Sequence, residues 1–311
     1  MEKLGFIGLG QMGRWMAANL LQAGFWLTVC DLDVNAVRTL TDLGAESAVT
    51  PAELSARVDK IFLCLPNKEV VQEVVCGAEG ILQGARPGQL VVDCGTTDYL
   101  WTIDFAKKLA AKGIDFVDAP VTGMELRAKD ATLTIMFGGP QRLLETIRTA
   151  LDAMGNRIVH MGDVGSGQLA KLVNQLLFNT HMAALAEVLP MAVALGLDAE
   201  KITQVINTGS GRSFASETFI PNILENRFTH GYSLKNAYKD MACALNISAT
   251  HQIPLPVVQS ATTTYQKALR SGYGDQDKGA MIKLFECLLG VSFRKPQLNP
   301  PRGKPRRMFC L

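Results

Sequence analysis

Residues 6–21, FIGLGQMGRWMAANLL, decide how the rest of the chain is read. Gly8, Gly10 and Gly13 stand in GxGxxG spacing, directly after an apolar β-type run and directly before a segment with helical periodicity. That setting gives each glycine a job: Gly8 makes the tight turn, Gly10 lets a pyrophosphate approach the backbone, and Gly13 lets the helix pack on the strand. Gln11 and Met12 complete the loop, and the helix N-terminus that follows is a natural receptor for phosphate. The next β-type run ends in TVCD, about twenty residues on, where a carboxylate accepts hydrogen bonds from an adenosine ribose and repels a 2′-phosphate. The loop and Asp31 therefore predict a dinucleotide site that prefers NAD to NADP.

Outward from this loop, short β-type runs alternate with helical segments as far as about residue 160: WLTVCD, VNAVRTLTDLG, KIFLCLP, KEVVQEVV, LVVDCGT, WTIDFAKKLAAKG, DFVDAPV and ATLTIMFGG. Nearly continuous apolar strands between helices indicate a mainly parallel sheet covered on both faces, a doubly wound α/β Rossmann domain. After RIVHMGDVGSG the β-type runs stop and helical periodicity takes over from Gln168 to about Leu195. Further helical pieces follow, separated by Gly and Pro, so the second domain is expected to be all-α and joined to the first by a long helix. A chain of 311 residues exceeds the size at which one core stops growing, which agrees with two domains. The expected boundaries are 1–163 for the dinucleotide domain, 164–291 for the helical substrate and oligomerisation domain, and 292–311 for a basic, proline-rich tail without packed structure.

Composition narrows the functional classes. Hydrophobic residues make up 48% and charged residues 19%, and the formal net charge is +2, so no global field recruits nucleic acid or a membrane surface. The tail SFRKPQLNPPRGKPRRMFCL holds six Lys or Arg and no acid, which leaves the remaining chain mildly acidic. Seven cysteines are scattered without a CxxC pair, and the four histidines lack zinc-ligand spacing, so no metal site is expected. The apolar stretch 182–197, MAALAEVLPMAVALGL, holds Glu187 and Pro190 and is too short to cross a bilayer; a cytoplasmic protein with no membrane partner is the expectation.

Lys171, in GSGQLAKLVNQLL, is the ambiguous residue. On an apolar helix face a lysine either snorkels to water or faces a cleft and moves protons. Its neighbours in sequence favour the second reading. FIGLGQMG, CLPN at 64–67, DCGTT at 93–97, DAPVTG at 118–123, GSGQLAKLVNQ at 165–175 and YKDMACAL at 238–245 occur in one order, and together they resemble the β-hydroxyacid dehydrogenase family over roughly residues 3–293.

The resemblance implies a nicotinamide-dependent oxidoreductase that interconverts a small 3-hydroxy carboxylic acid and its semialdehyde or 3-oxo acid, without a metal. It assigns Lys171 as the general acid/base, which requires its pKa to fall from about 10.4 toward about 7 or 8 through partial burial and nearby cations. It implies substrate contacts from Thr122, Gly123, Asn174, Gln175 and Lys239, and cofactor contacts from Leu65, Pro66, Thr96 and again Lys239, beside those of the glycine loop and Asp31. It also implies a homodimer or homotetramer acting on a small anionic hydroxy acid or semialdehyde. Asn174, Gln175 and Phe178 lie at i+3, i+4 and i+7 from Lys171, on one helical stripe. Departures from the family are also visible. Gln175 replaces the usual Asn, Met124 replaces a second glycine after Gly123, and Arg127 is unusual, either solvated or paired with an anionic substrate group. Two other readings remain: a non-catalytic dinucleotide-binding scaffold of the same fold, and an imine reductase, a class that generally lacks this lysine.

Overall fold

A computed structural model describes residues 3–229 and 231–295. It divides into two compact units, residues 1–171 and 172–311, and the division falls within one helix. The first unit begins β1 (Lys3–Ile7), α1 (Gly13–Gln22), β2 (Trp26–Cys30), α2 (Val34–Thr41), β3 (Glu46–Ser47), α3 (Pro51–Arg57), β4 (Lys60–Leu63), α4 (Lys68–Cys76), α5 (Ile81–Gly84) and β5 (Leu90–Asp93). It continues with α6 (Tyr99–Ala110), β6 (Asp115–Asp118), β7 (Val121–Thr122), α7 (Met124–Lys129), β8 (Leu133–Gly138), α8 (Gln141–Met154) and β9 (Gly155–Gly162).

The strands form one nine-stranded sheet in the order β3-β2-β1-β4-β5-β6-β8-β7, with β9 paired to β8. All pairs from β3 through β6 are parallel, as is β8 with β9; β8 runs antiparallel to β6 and β7. The strand order reverses direction between β1 and β4, and in such sheets ligands bind in the crevice beyond the carboxyl ends of the strands at that point. Both faces are buried, which explains the continuous apolar runs. Phe6, Phe62, Val92 and Val117 pack on one side, and Ile7, Ile61, Leu63, Val91 and Phe116 on the other.

Helix α9 (Ser166–Ala194) leaves the first unit and enters the second, which continues with α10 (Ala199–Thr208), α11 (Phe214–Leu224), α12 (Leu234–His251), α13 (Pro256–Arg270) and, after a 3-10 turn at Lys278–Met281, α14 (Ile282–Leu289). Its core gathers Met182, Leu189, Phe219, Ile223, Met241, Tyr265 and Met281. Among the described residues this unit contains no named strand, in keeping with the all-α expectation.

Two expectations need correcting. The tail was placed outside the packed structure from residue 292, yet Phe293 is fully buried, its N–H donates to Glu286 Oε1 at 2.7 Å, and Arg294 pairs with the same largely buried carboxylate at 2.6 Å. One aromatic side chain and one carboxylate in need of a cation hold the chain down as far as this point. The rest of the tail, 296–311, lies outside the described residues. The second concerns α9: at 29 residues, with mean hydropathy 1.4 over its most apolar window, it is long and apolar enough to cross a bilayer by those measures alone, whereas stretch 182–197 was judged too short. Gln168, Lys171, Gln175 and Asn179 are all buried, and each hydrogen-bonds another part of the protein.

Candidate active site

The glycine loop has the shape its spacing predicts. Gly8 takes φ +97°, and a Cβ there would strike the Cys64 carbonyl just beyond β4. A Cβ on Gly13 would run into the Gly8 carbonyl, so the helix could not seat against the turn. Gly10 differs, because nothing lies within 4 Å of where its Cβ would be. That open side leaves room for a ligand group to approach the backbone. Helix α1 has no side-chain cap at Met12 and no acid in its own first turn, so its positive dipole end carries no side-chain counter-charge from within the helix. The residues present therefore fit a dinucleotide. Asp31, just after β2, is fixed by two backbone donors, Leu9 N–H at 2.5 Å on one oxygen and Asp33 N–H at 2.8 Å on the other. Leu65 and Pro66 follow β4 and Thr96 follows β5, all at the carboxyl edge of the sheet; the Leu65 carbonyl lies so close to Gly95 that a Cβ there would sit 2.6 Å from it.

The same edge holds the start of α9. Asp118, the last residue of β6, is fully buried and accepts Gly165 N–H at 2.6 Å and Gln168 N–H at 2.7 Å, capping α9 from a different strand. Gly138 and Gly167 leave room for it, since a Cβ on either would approach its oxygens to within 2.8 Å. Burial, reinforced by nearby Asp93, pushes the Asp118 carboxyl up to about 7, against the pull of its two N–H donors. The Gln168 amide completes the anchor: Oε1 accepts Thr97 N–H at 3.1 Å and Nε2 donates to the Gly95 carbonyl at 3.0 Å. Asp93 in turn accepts Gly95 N–H and the Thr97 hydroxyl, each at 2.9 Å.

This anchored first turn aims Lys171. The residue is 9% exposed, and its Nζ donates to the Val121 carbonyl at 2.8 Å, so the ammonium is turned into the protein instead of snorkelling. The next residues are Thr122 and Gly123, the latter at φ +139° with the Arg127 stem folded so closely over it that no Cβ would fit. Met124 keeps the conformation that a second glycine would adopt, at φ +62°, and Ala131 beyond α7 sits at φ +54°. For residues with a Cβ, a left-handed conformation costs roughly 1–2 kcal/mol each. Residues Met124–Lys129 form the short helix α7, which opens on one left-handed residue and is followed two positions on by the other. The Arg127 guanidinium is exposed.

The residues expected beyond Lys171 belong to the second unit. Gln175 is 7% exposed, and its Nε2 donates to Asp240 Oδ2 at 3.1 Å. The Tyr232 hydroxyl lies 3.3 Å from the same oxygen. Asp240 is the neighbour of Lys239, which is itself exposed on α12. Asn174 is partly buried. Phe178 packs into the core of this unit, with the fully buried Lys278 ammonium 3.4 Å from its ring centroid and Phe219 5.9 Å away.

Sequence reasoning missed Asp93, Asp118, Gln168 and Glu125, although a carboxylate closing an otherwise apolar strand, as in VVDCG and FVDAP, is the signal that marks the first two. Burial and Asp93 push the thiol of Cys64, also near the loop, up to about 12 and so favour its neutral form. Among the described residues no group of three or more His, Cys, Asp or Glu gathers at a possible metal position.

Residues 3–162 match the family described as the NAD binding domain of 6-phosphogluconate dehydrogenase. Residues 165–285 match the one described as NAD-binding of NADP-dependent 3-hydroxyisobutyrate dehydrogenase. The chain is 38% identical to 2-(hydroxymethyl)glutarate dehydrogenase of Eubacterium barkeri, over 93% of this chain and 97% of that one. It is 31% identical to L-threonate dehydrogenase of Cupriavidus necator, over 91% and 96%. Among solved structures, the 3-hydroxyisobutyrate dehydrogenase of Salmonella typhimurium superposes with a TM-score of 0.86 at 27% identity, covering 92% of this chain and all of that one.

Proposed function

The chain belongs to the β-hydroxyacid dehydrogenase family, and on that footing we propose that it is an NAD-dependent oxidoreductase interconverting a small 3-hydroxy carboxylic acid and its semialdehyde or 3-oxo acid, with Lys171 moving the proton. The observation that carries this reading is the placement of Lys171: an amine nearly out of water, hydrogen-bonded to the residue before Thr122 on a helix start bolted to the sheet edge. A bound nicotinamide supplies the hydride acceptor for oxidation or the donor for reduction.

The chain's own residues do the rest. Lys171 Nζ takes the proton from the substrate hydroxyl oxygen as the carbonyl forms, and returns it to that oxygen in the reverse direction. Thr122 offers a hydroxyl, and Gly123 close backbone approach, to the substrate carboxylate. Asn174 and Gln175, one turn past Lys171, hold the substrate in register; the Gln175 amide commits Nε2 to Asp240, which leaves its carbonyl oxygen to accept. Lys239 adds positive charge for an anionic substrate or the cofactor phosphates. Gly8, Gly10, Gln11, Met12 and Gly13 hold the pyrophosphate, and Leu65, Pro66 and Thr96 border the nicotinamide half. The rigid Asp31 carboxylate favours a free ribose hydroxyl, and hence NAD, although the family accommodates NADP as well.

Association into a homodimer or homotetramer is supported by Leu169, Val173 and Leu177, exposed at four-residue spacing along α9. The deciding experiment is a spectrophotometric screen of NAD and NADP reduction across hydroxy acids of isobutyrate, glycerate, serine, sulfonate and four-carbon dicarboxylate type. Turnover of at least one acid with NAD is expected. No turnover with any acid, or a preference for NADP, would refute the activity or the role of Asp31 respectively.

A further inference from the structure

The nucleotide loop and the turn at Thr122–Gly123 are joined by one carboxylate. Glu125, in the first turn of α7, accepts the Gln11 amide N–H on Oε2 at 2.9 Å and the Trp15 indole N–H on Oε1 at 2.9 Å. Four residues further along α1, the Asn19 amide donates to the Ala128 carbonyl at 2.7 Å, and the Lys129 ammonium lies 5.4 Å from the Trp15 ring centroid. Trp15 and Asn19 share one face of α1 and Gln11 lies in the loop just before it, so α7 is laid along the helix that opens the nucleotide loop. Gln11 is itself part of the GxGxxG loop.

Helix α7 is not held by its own sequence. It has six residues, no side-chain cap at its start, a left-handed first residue in Met124, and a second left-handed residue, Ala131, two positions past its end. The hydrogen bonds to Gln11, Trp15 and Asn19 offset the cost of the two left-handed residues in the docked form. A short helix held by a few contacts against a backbone cost is an element whose docking a ligand at one end can stabilise. We propose that Glu125 is a positioning residue that couples the nucleotide loop to the Thr122–Met124 turn, so that cofactor bound at the loop holds the turn in its docked form and the hydroxy acid binds more tightly to the loaded chain. This inference rests on the reading of Thr122 and Gly123 as the substrate turn. Glu125 touches neither reactant; it acts through Gln11 and Trp15 on one side and the α7 backbone on the other.

The test uses full-length protein with NADH and 3-hydroxypropionate, a pair that cannot react because both are reduced. Calorimetric titration of the acid with and without saturating NADH reads the coupling, and hydrogen exchange of amides 124–131 with and without NADH reads the turn directly. In the unaltered chain the acid binds at least about fivefold tighter to the NADH-loaded form, the lower end of typical coupling. NADH slows exchange across 124–131. In Glu125→Ala the ratio falls to about one and the added protection at 124–131 disappears, while protection at residues 8–13 persists. Glu125→Gln, which keeps one acceptor oxygen, gives an intermediate ratio, and Trp15→Phe serves as the milder variant should Glu125→Ala fold poorly. A purely structural role would lower thermal stability but leave the ratio intact. The proposal is overturned if NADH protects 124–131 equally in the unaltered chain and Glu125→Ala, or if it protects them in neither. If 3-hydroxypropionate binds neither form of the unaltered chain, it is the substrate reading of the turn that suffers, and the exchange result still decides the coupling.

Discussion

Asp118 ties the pH dependence of folding to the placement of Lys171. Its carboxyl is raised from 3.8 to about 7, with burial the largest cause. In the unfolded chain the group gives up its proton near 3.8, whereas in the folded chain it keeps it until about 7. Between those values the native state binds more protons, so stability from this group is complete below 3.8 and is lost as pH rises toward 7. At about 1.4 kcal/mol per unit, a shift of some three units sets a ceiling of about 4 kcal/mol. The perturbation is Asp118→Asn, which cannot ionise and retains one acceptor oxygen for the Gly165 and Gln168 N–H pair. Urea denaturation of both proteins at intervals from pH 4.5 to 8 is the assay. The variant is less stable at every pH, because its amide turns a donor toward one of two donors, and the gap is expected to shrink by about 2–4 kcal/mol between pH 4.5 and 8. A gap that stays constant or widens with pH would show that Asp118 is ionised throughout and that burial does not govern its titration.

Three further outcomes are expected. Lys171→Ala lowers kcat on the best substrate by about 10²–10⁴-fold, the usual contribution of general acid–base catalysis, while calorimetry finds NADH affinity within about threefold, below the tenfold that ~1.4 kcal/mol represents; retention of most of the rate would remove Lys171 from the chemistry. Gln168→Ala leaves the Thr97 N–H and the Gly95 carbonyl without their partner, at about 1–3 kcal/mol for each buried group, so a denaturation midpoint that hardly moves would show that α9 is not anchored through this amide. Met124→Gly releases left-handed strain of about 1–2 kcal/mol but adds about 0.5–1 kcal/mol of unfolded-state entropy, so stability is unchanged or slightly raised; a clear loss would mean that the Met124 side chain contributes packing of its own.

The departures from the family illustrate why some residues were readable and others were not. Met124 stood out in the sequence as a filled glycine position, and its effect on φ followed from the missing alternative: the turn keeps its path and the residue bears the strain. Gln175 stood out equally, but its partner did not, because Asp240 lies on another helix and no local spacing links them. Glu125 is a plain acidic residue in a polar stretch, and nothing within ten residues of it suggests Gln11 or Trp15.

By itself the sequence determined the elements and the chemistry that depends on local geometry. GxGxxG between a strand and a helix, the alternation of apolar runs and helices, the carboxylate just after β2 and the lysine inside α9 are set by backbone periodicity and steric rules that act over a few residues. Only the tertiary structure decided what holds Lys171 in place. The Asp118 carboxyl and the Asp93–Thr97–Gln168 network, and apart from Lys171 the Glu125 contact with Gln11, join residues 4 to 114 positions apart. Each arises because a buried polar group must find a partner wherever the fold brings one, and sequence spacing carries no record of that search.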